Sequence, residues 1–108
     1  MKYIIGIKHP KRGNLFLRNL QRSEAHVTTN ENLVTDSAVS TSISEAKNAI
    51  NRAEARWRKS TEVGSTRSRN RCRELIAADK VIVKLPECKI KKISTLIISM
   101  EEFSNGQD

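Results

Sequence analysis

The chain has 108 residues, 37% hydrophobic and only 4% aromatic, so a single domain with a small, mainly aliphatic core is expected. Lys and Arg number 20 against 12 Asp and Glu, a formal net charge of +8. This argues against an acidic DNA mimic and for an anionic partner, either nucleic acid or an acidic protein surface.

In chain order, Lys2–Lys8 alternates Tyr3, Ile5 and Ile7 with Lys2, Ile4, Gly6 and Lys8, the period of a half-buried strand. His9-Pro10-Lys11-Arg12-Gly13-Asn14 breaks it as a hairpin connection, because Pro cannot donate to a ladder and Gly-Asn tolerates left-handed backbone. Leu15–Leu20 is the return strand, with Leu15 and Leu17 on one face and Phe16 and Arg18 on the other. Ala25–Thr29 is a third, weaker strand, and Leu33-Val34-Thr35 a short fourth one. Ser42-Ile43-Ser44-Glu45 fits a capping box, and Ile43, Ala46, Ile50, Ala53 and Trp57 then recur at helical spacing. A helix over about Ile43–Lys59 is predicted, with Trp57 in the core. A loop around Gly64 precedes a second, shorter helix over about Asn70–Ala78, with Cys72, Leu75 and Ile76 as its apolar side. Val81–Leu85 reads as a strand, Pro86-Glu87 as a turn, and one more strand falls at Ile90–Ile93 or Thr95–Ser99. The order gives an α+β fold: a small antiparallel sheet with the main helix on one face. Residues 1–100 form the domain, and 101–108 an acidic flexible tail.

Charge is concentrated between Arg52 and Arg73. Arg52, Arg56, Arg58, Lys59, Arg67, Arg69, Arg71 and Arg73 face only Glu54 and Glu62 there. In an extended segment the last four would form a comb on one side, with teeth about 6–7 Å apart. In a helix they split into the pairs Arg67/Arg71 and Arg69/Arg73. Either way, guanidinium forks suit phosphates and carboxylates. The hairpin tip offers a second group, Lys11 and Arg12, and Lys2, Lys8, Arg18 and Arg22 also precede the first acidic residue. Lys89, Lys91 and Lys92 suit a protected edge strand. Tyr3 and Phe16 are candidates to face outward and stack on bases, but so few aromatics do not make a stacking platform, which leaves phosphate contact as the main mechanism.

Signals for catalysis are scarce. His9 and His26 lack partners at metal-ligand spacing, and Cys72 and Cys88 have no second pair, so no metal or cofactor is expected. Cys72 reads as a packed thiol. No P-loop, nucleophile elbow or paired-carboxylate arrangement is present. Two cysteines do not make a disulfide framework, and Leu96-Ile97-Ile98 is too short to cross a bilayer. The opening residues lack the apolar run of a signal peptide. A soluble, cytoplasmic protein without membrane contact is expected.

Met1–Ile5, Val34-Thr35-Asp36, Ala38 and Ser42-Ile43-Ser44-Glu45-Ala46 together resemble a pattern of small phage and prophage accessory proteins. The likeness covers about half the chain. Val39 and Ile43 stand where such proteins usually carry an aromatic, and the stretch from Arg52 to Arg73 is not part of the pattern. The resemblance implies a mobile-element protein of the anti-CRISPR or anti-defence kind. Together with the residues, this gives the expectation of a non-enzymatic binding protein that inhibits or modulates a host protein or ribonucleoprotein complex handling nucleic acid, in the host cytoplasm, through its basic surface. Direct, weakly sequence-specific binding of DNA or RNA is the alternative, and a small metal-free ribonuclease the third reading.

Overall fold

A computed structural model describes residues 1–21, 24–85 and 97–105. The fold is α+β. Strands β1 (Lys2–His9), β2 (Gly13–Gln21) and β3 (Glu24–Thr28) are followed by helices α1 (Ile43–Ser60) and α2 (Thr66–Ala77). Strand β4 (Asp79–Leu85), strand β5 (Ile97–Ser99) and helix α3 (Met100–Asn105) complete it. The sheet order is β3-β2-β1-β4-β5. Every pairing is antiparallel except β4 with β5. The expectation of a wholly antiparallel sheet is therefore corrected at one edge. A parallel pair needs a crossover rather than a tight turn, so β4 and β5 are not a hairpin. The turn expected at Pro86-Glu87 and the strand at Ile90–Ile93 lie outside the described residues.

His9 pairs with Gly13 at the end of the first hairpin, which leaves Pro10, Lys11 and Arg12 as a three-residue loop. Gly13 takes a φ of 76° there, in the left-handed region that glycine adopts without strain. The buried His9 ring holds the loop closed: its Nδ1 accepts hydrogen bonds from the backbone N–H of Lys11 (3.1 Å) and Arg12 (3.0 Å).

The fourth strand expected at Leu33–Thr35 is replaced by two 3-10 turns, Glu31–Leu33 and Asp36–Ala38. Local polar groups win over pairing there. Asn30 Oδ1 accepts from Asn32 N–H, and Ser37 Oγ accepts from Leu20 N–H. Thr35 N–H and Oγ1 both donate to the Arg18 carbonyl, which sits where the β2–β3 register shifts. The segment then rejoins the sheet by a two-way bridge between Tyr3 and Ser40.

Ser42 caps α1 by accepting from Glu45 N–H at 3.1 Å. The Glu45 carboxylate reaches back one residue beyond the expected box, to Thr41 N–H (2.9 Å) and Thr41 Oγ1. Ala46, Ala49 and Ala53 are buried, so the helix axis lies close to the sheet, and Ile50 and Trp57 fill the space beside Tyr3, Ile5, Ile7, Leu15, Leu17 and Ile82. Trp57 Nε1–H donates to the Ala25 carbonyl at 2.9 Å, tying the end of α1 to β3.

On the opposite sheet face Ile4, Phe16, Val81, Val83 and Ile98 form a second cluster with Phe103 of α3. Phe103 is 1% exposed, and its ring meets Phe16 edge-on at 5.1 Å. The residues expected to begin a frayed tail thus form α3, anchored by this aromatic and by Asn14 Nδ2, which donates to the Phe103 carbonyl at 2.7 Å. A Cβ on Gly6 would stand 2.9 Å from the Phe103 ring, so the glycine makes room for it. The expectation that Tyr3 and Phe16 face outward is overturned, since both are buried. Both sheet faces have a cover, one of helices and the other of a short helix at the chain's end.

Candidate functional site

Helix α2 begins at Thr66, four residues earlier than the sequence suggests, because Ser65 caps it by accepting from Ser68 N–H at 3.2 Å. All four arginines of the comb are therefore helical, and the extended comb does not form. Helical spacing sorts them. Arg69 is half-buried, and its guanidinium donates to the Glu62 carbonyl at 3.4 Å. Arg73 donates to Asn70 Oδ1 at 3.1 Å. Arg67 and Arg71, one turn apart on the other side of α2, are exposed.

Arg71 meets residues from three other elements. A cleft of about 400 Å³ is lined by Arg12 from the β1–β2 loop, His26 from β3, Arg56 and Ser60 from α1, and Ser68 and Arg71 from α2. Ala25, Val27, Trp57, Cys72 and Leu75 supply its apolar walls. Among the described residues that line it, none is a carboxylate. The arrangement follows from the fold. The Trp57–Ala25 hydrogen bond fixes the end of α1 over β3, and Lys11 Nζ meets Glu74 at 3.1 Å, holding the hairpin loop beside α2. Burial pushes the Cys72 thiol above its ordinary range, against the smaller opposing effect of a hydrogen bond with Ser60. It is a wall of the cleft rather than an activated nucleophile.

Of the expected binding residues, the structure gathers Arg12, Arg56 and Arg71 into one site. Arg52 lines a separate hollow of about 450 Å³ whose lining includes the carboxylate of Glu45. Arg58, Lys59 and Arg67 are exposed outside the cleft, and Lys11 is engaged with Glu74. Arg22, Lys89, Lys91 and Lys92 lie outside the described residues, as does Cys88. His26, Ser60 and Ser68 were not among the expected binding residues. They come from three segments that only the tertiary fold brings together, so spacing along the chain carries no trace of the grouping.

The guanidinium forks of Arg12 and Arg71, beside Arg56, which donates to the Arg52 carbonyl at 3.3 Å, suit an anion with several acceptor oxygens. Among the described residues no group of three His, Cys, Asp or Glu is placed to hold a metal ion, and no helix is long and apolar enough to cross a membrane. No protein-family model, curated protein or solved structure matches the chain.

Proposed function

We propose that this is a non-enzymatic binding protein that engages the phosphates of nucleic acid through the basic cleft between the β1–β2 loop, β3, α1 and α2. The observation that carries the reading is the convergence of Arg12, Arg56 and Arg71, from three elements, on one concavity whose described lining residues include no carboxylate. Phosphate contact of this kind gives affinity with little sequence preference. The burial of Tyr3, Phe16 and Trp57 supports the same view, since it leaves no aromatic platform for base readout. The wider role, inhibition of a host nucleic-acid-handling complex by a mobile-element protein, is proposed on the sequence resemblance and uses the same basic surface.

The test is a titration of labelled single- and double-stranded oligonucleotides at increasing salt. Log K should fall linearly with log salt, by about 0.7–0.9 for each phosphate engaged. Absence of binding to any free strand, together with capture of an intact ribonucleoprotein complex, would transfer the surface to the inhibitor reading. Cleavage of the RNA, lost in His26→Ala, would replace both with a nuclease.

A further inference from the structure

Pro10, Lys11 and Arg12 make the loop that brings Arg12 to the cleft. Pro10 has no backbone N–H, so the loop has two such donors, and one atom takes both. His9 Nδ1 accepts from Lys11 N–H at 3.1 Å and from Arg12 N–H at 3.0 Å. An imidazole nitrogen accepts only while it carries no proton, so the ring here is neutral with its hydrogen on Nε2. A proton added at Nδ1 turns the acceptor into a third donor facing the other two. The ring has little room to swing aside, because it is 5% exposed and lies on the same side of β1 as the core residues Ile5 and Ile7. The loop's ion pair with α2, Lys11 with Glu74, lies at the surface, with the Lys11 side chain 79% exposed, and such pairs hold little.

We infer that His9 is a pH switch for the cleft: protonation at Nδ1 releases the β1–β2 loop and withdraws Arg12 from the lining, so that acid weakens the hold on phosphate. The inference rests on the phosphate-binding reading above and adds its regulation. The charged groups around His9 come from every neighbouring element. Lys11 and Arg12 stand on the loop, and Lys8, the preceding residue, pairs with Asp79 of β4. Lys80 of β4 stands opposite Ile7 and holds Glu54 of α1, and Glu74 of α2 meets Lys11. Carboxylates, ammoniums and guanidiniums ordinarily keep their charge between about pH 5 and 8, whereas histidine changes its own. His26, in the cleft lining, works in the opposite sense, since its protonation adds positive charge to the site.

His9→Asn separates the two effects. An Asn side chain accepts from the backbone N–H two residues on and does not titrate, as Asn30 Oδ1 does with Asn32 N–H in this chain. The experiment measures the affinity of parent and variant for one labelled oligonucleotide at fixed salt, at about pH 7.5 and about pH 5, the two sides of the histidine range. The ratio of parent to variant affinity should fall about tenfold in acid, the worth of one charge-assisted contact. In an Arg12→Gln background, where that contact is already gone, the ratio should stay constant. A second readout needs neither ligand nor variant: in NMR spectra of the whole chain, the Lys11 and Arg12 amide signals should shift with the same midpoint as the His9 ring. Amides that stay in place while the ring titrates, a ring that stays neutral throughout, or a constant ratio with binding intact would each overturn the inference and leave the phosphate-binding reading standing. No binding at either pH, with amides that follow the ring, would overturn that reading and support the release of the loop.

Discussion

At the junction of α1, α2 and β4, the Lys80 side chain is 8% exposed and its ammonium is fully committed. It pairs with Glu54 at 2.8 Å and donates to the carbonyls of Leu75 (3.0 Å) and Ile76 (2.7 Å) at the end of α2. In the cleft, Arg12, Arg56 and Arg71 share a lining whose described residues include no carboxylate. Both places carry positive charge packed beside the same two helices, α1 and α2. At Lys80 the three donors of the ammonium have three acceptors, one of them ionised, and the end of α2 has its free carbonyls satisfied. That cation belongs to the fold. In the cleft the described lining residues include no carboxylate, and the proposed function gives that charge an anion from outside. Two arginines elsewhere fall between these limits: exposed Arg73 is met by Asn70, and half-buried Arg69 by the Glu62 carbonyl.

This contrast breaks most sharply at Lys80. Lys80→Ala should cost about 3–5 kcal/mol, because it strands a partly buried carboxylate and two helix-end carbonyls. Urea denaturation measures it. A cost near zero would mean that the junction is a surface ion pair, and the distinction between the two regions would vanish. Gly6→Ala comes next and tests the cover on the far side of the sheet. Its added methyl meets the Phe103 ring, so a loss of about 1–3 kcal/mol is expected. The same substitution should cost clearly less in a Phe103→Leu background, and a double-mutant cycle separates the two effects.

Arg71→Gln sharpens the comparison from the other side. Stability should stay within about 0.5 kcal/mol of the parent, as for other exposed positions. The salt slope for nucleic acid should shrink by about 0.7–0.9. The smallest effect is expected at Glu45, where hydrogen bonds from Thr41 hold the carboxyl below its ordinary value of 4.5. A carboxylate lowered by folding stabilises the native state above that ordinary value. The contribution is lost as pH falls through the lowered folded value. Thermal unfolding should therefore show a slightly smaller acid-side loss in Glu45→Gln than in the parent, and a larger one would reverse the sign of the argument.

Local periodicity made much of the fold legible. The α1 stripe and its Ser42 cap follow from the sequence, as do the first hairpin and the β4 strand, because each is settled by residues within a few positions of one another. Burial of Tyr3 and Phe16 was not legible: it depends on Ser40 and Phe103, far along the chain, arriving to cover them. The start of α2 was missed because arginine and serine carry no apolar stripe, and a single capping hydroxyl at Ser65 decides it. Nothing in the residues around Lys80 marks it, and only the packing of α1 and α2 makes its side chain a buried cation. For the site, the sequence showed where arginine is dense but not which arginines meet. Lys11, next to Arg12, meets Glu74, three residues after Arg71, a pairing between distant parts of the chain.

The central claim is that position, and not charge alone, makes Arg12, Arg56 and Arg71 a site. It is tested most directly by comparing two variants of equal net charge for affinity toward a labelled single strand at one fixed salt concentration. The first replaces Arg12, Arg56 and Arg71 by Gln, and the second replaces Arg52, Arg58 and Arg73 by Gln. The cleft variant should lose at least about a hundredfold in affinity, at about 1 kcal/mol or more for each charged contact removed, and the outer variant no more than about tenfold. Equal losses in the two would show that the strand reads only the overall charge, and the cleft would not be the site.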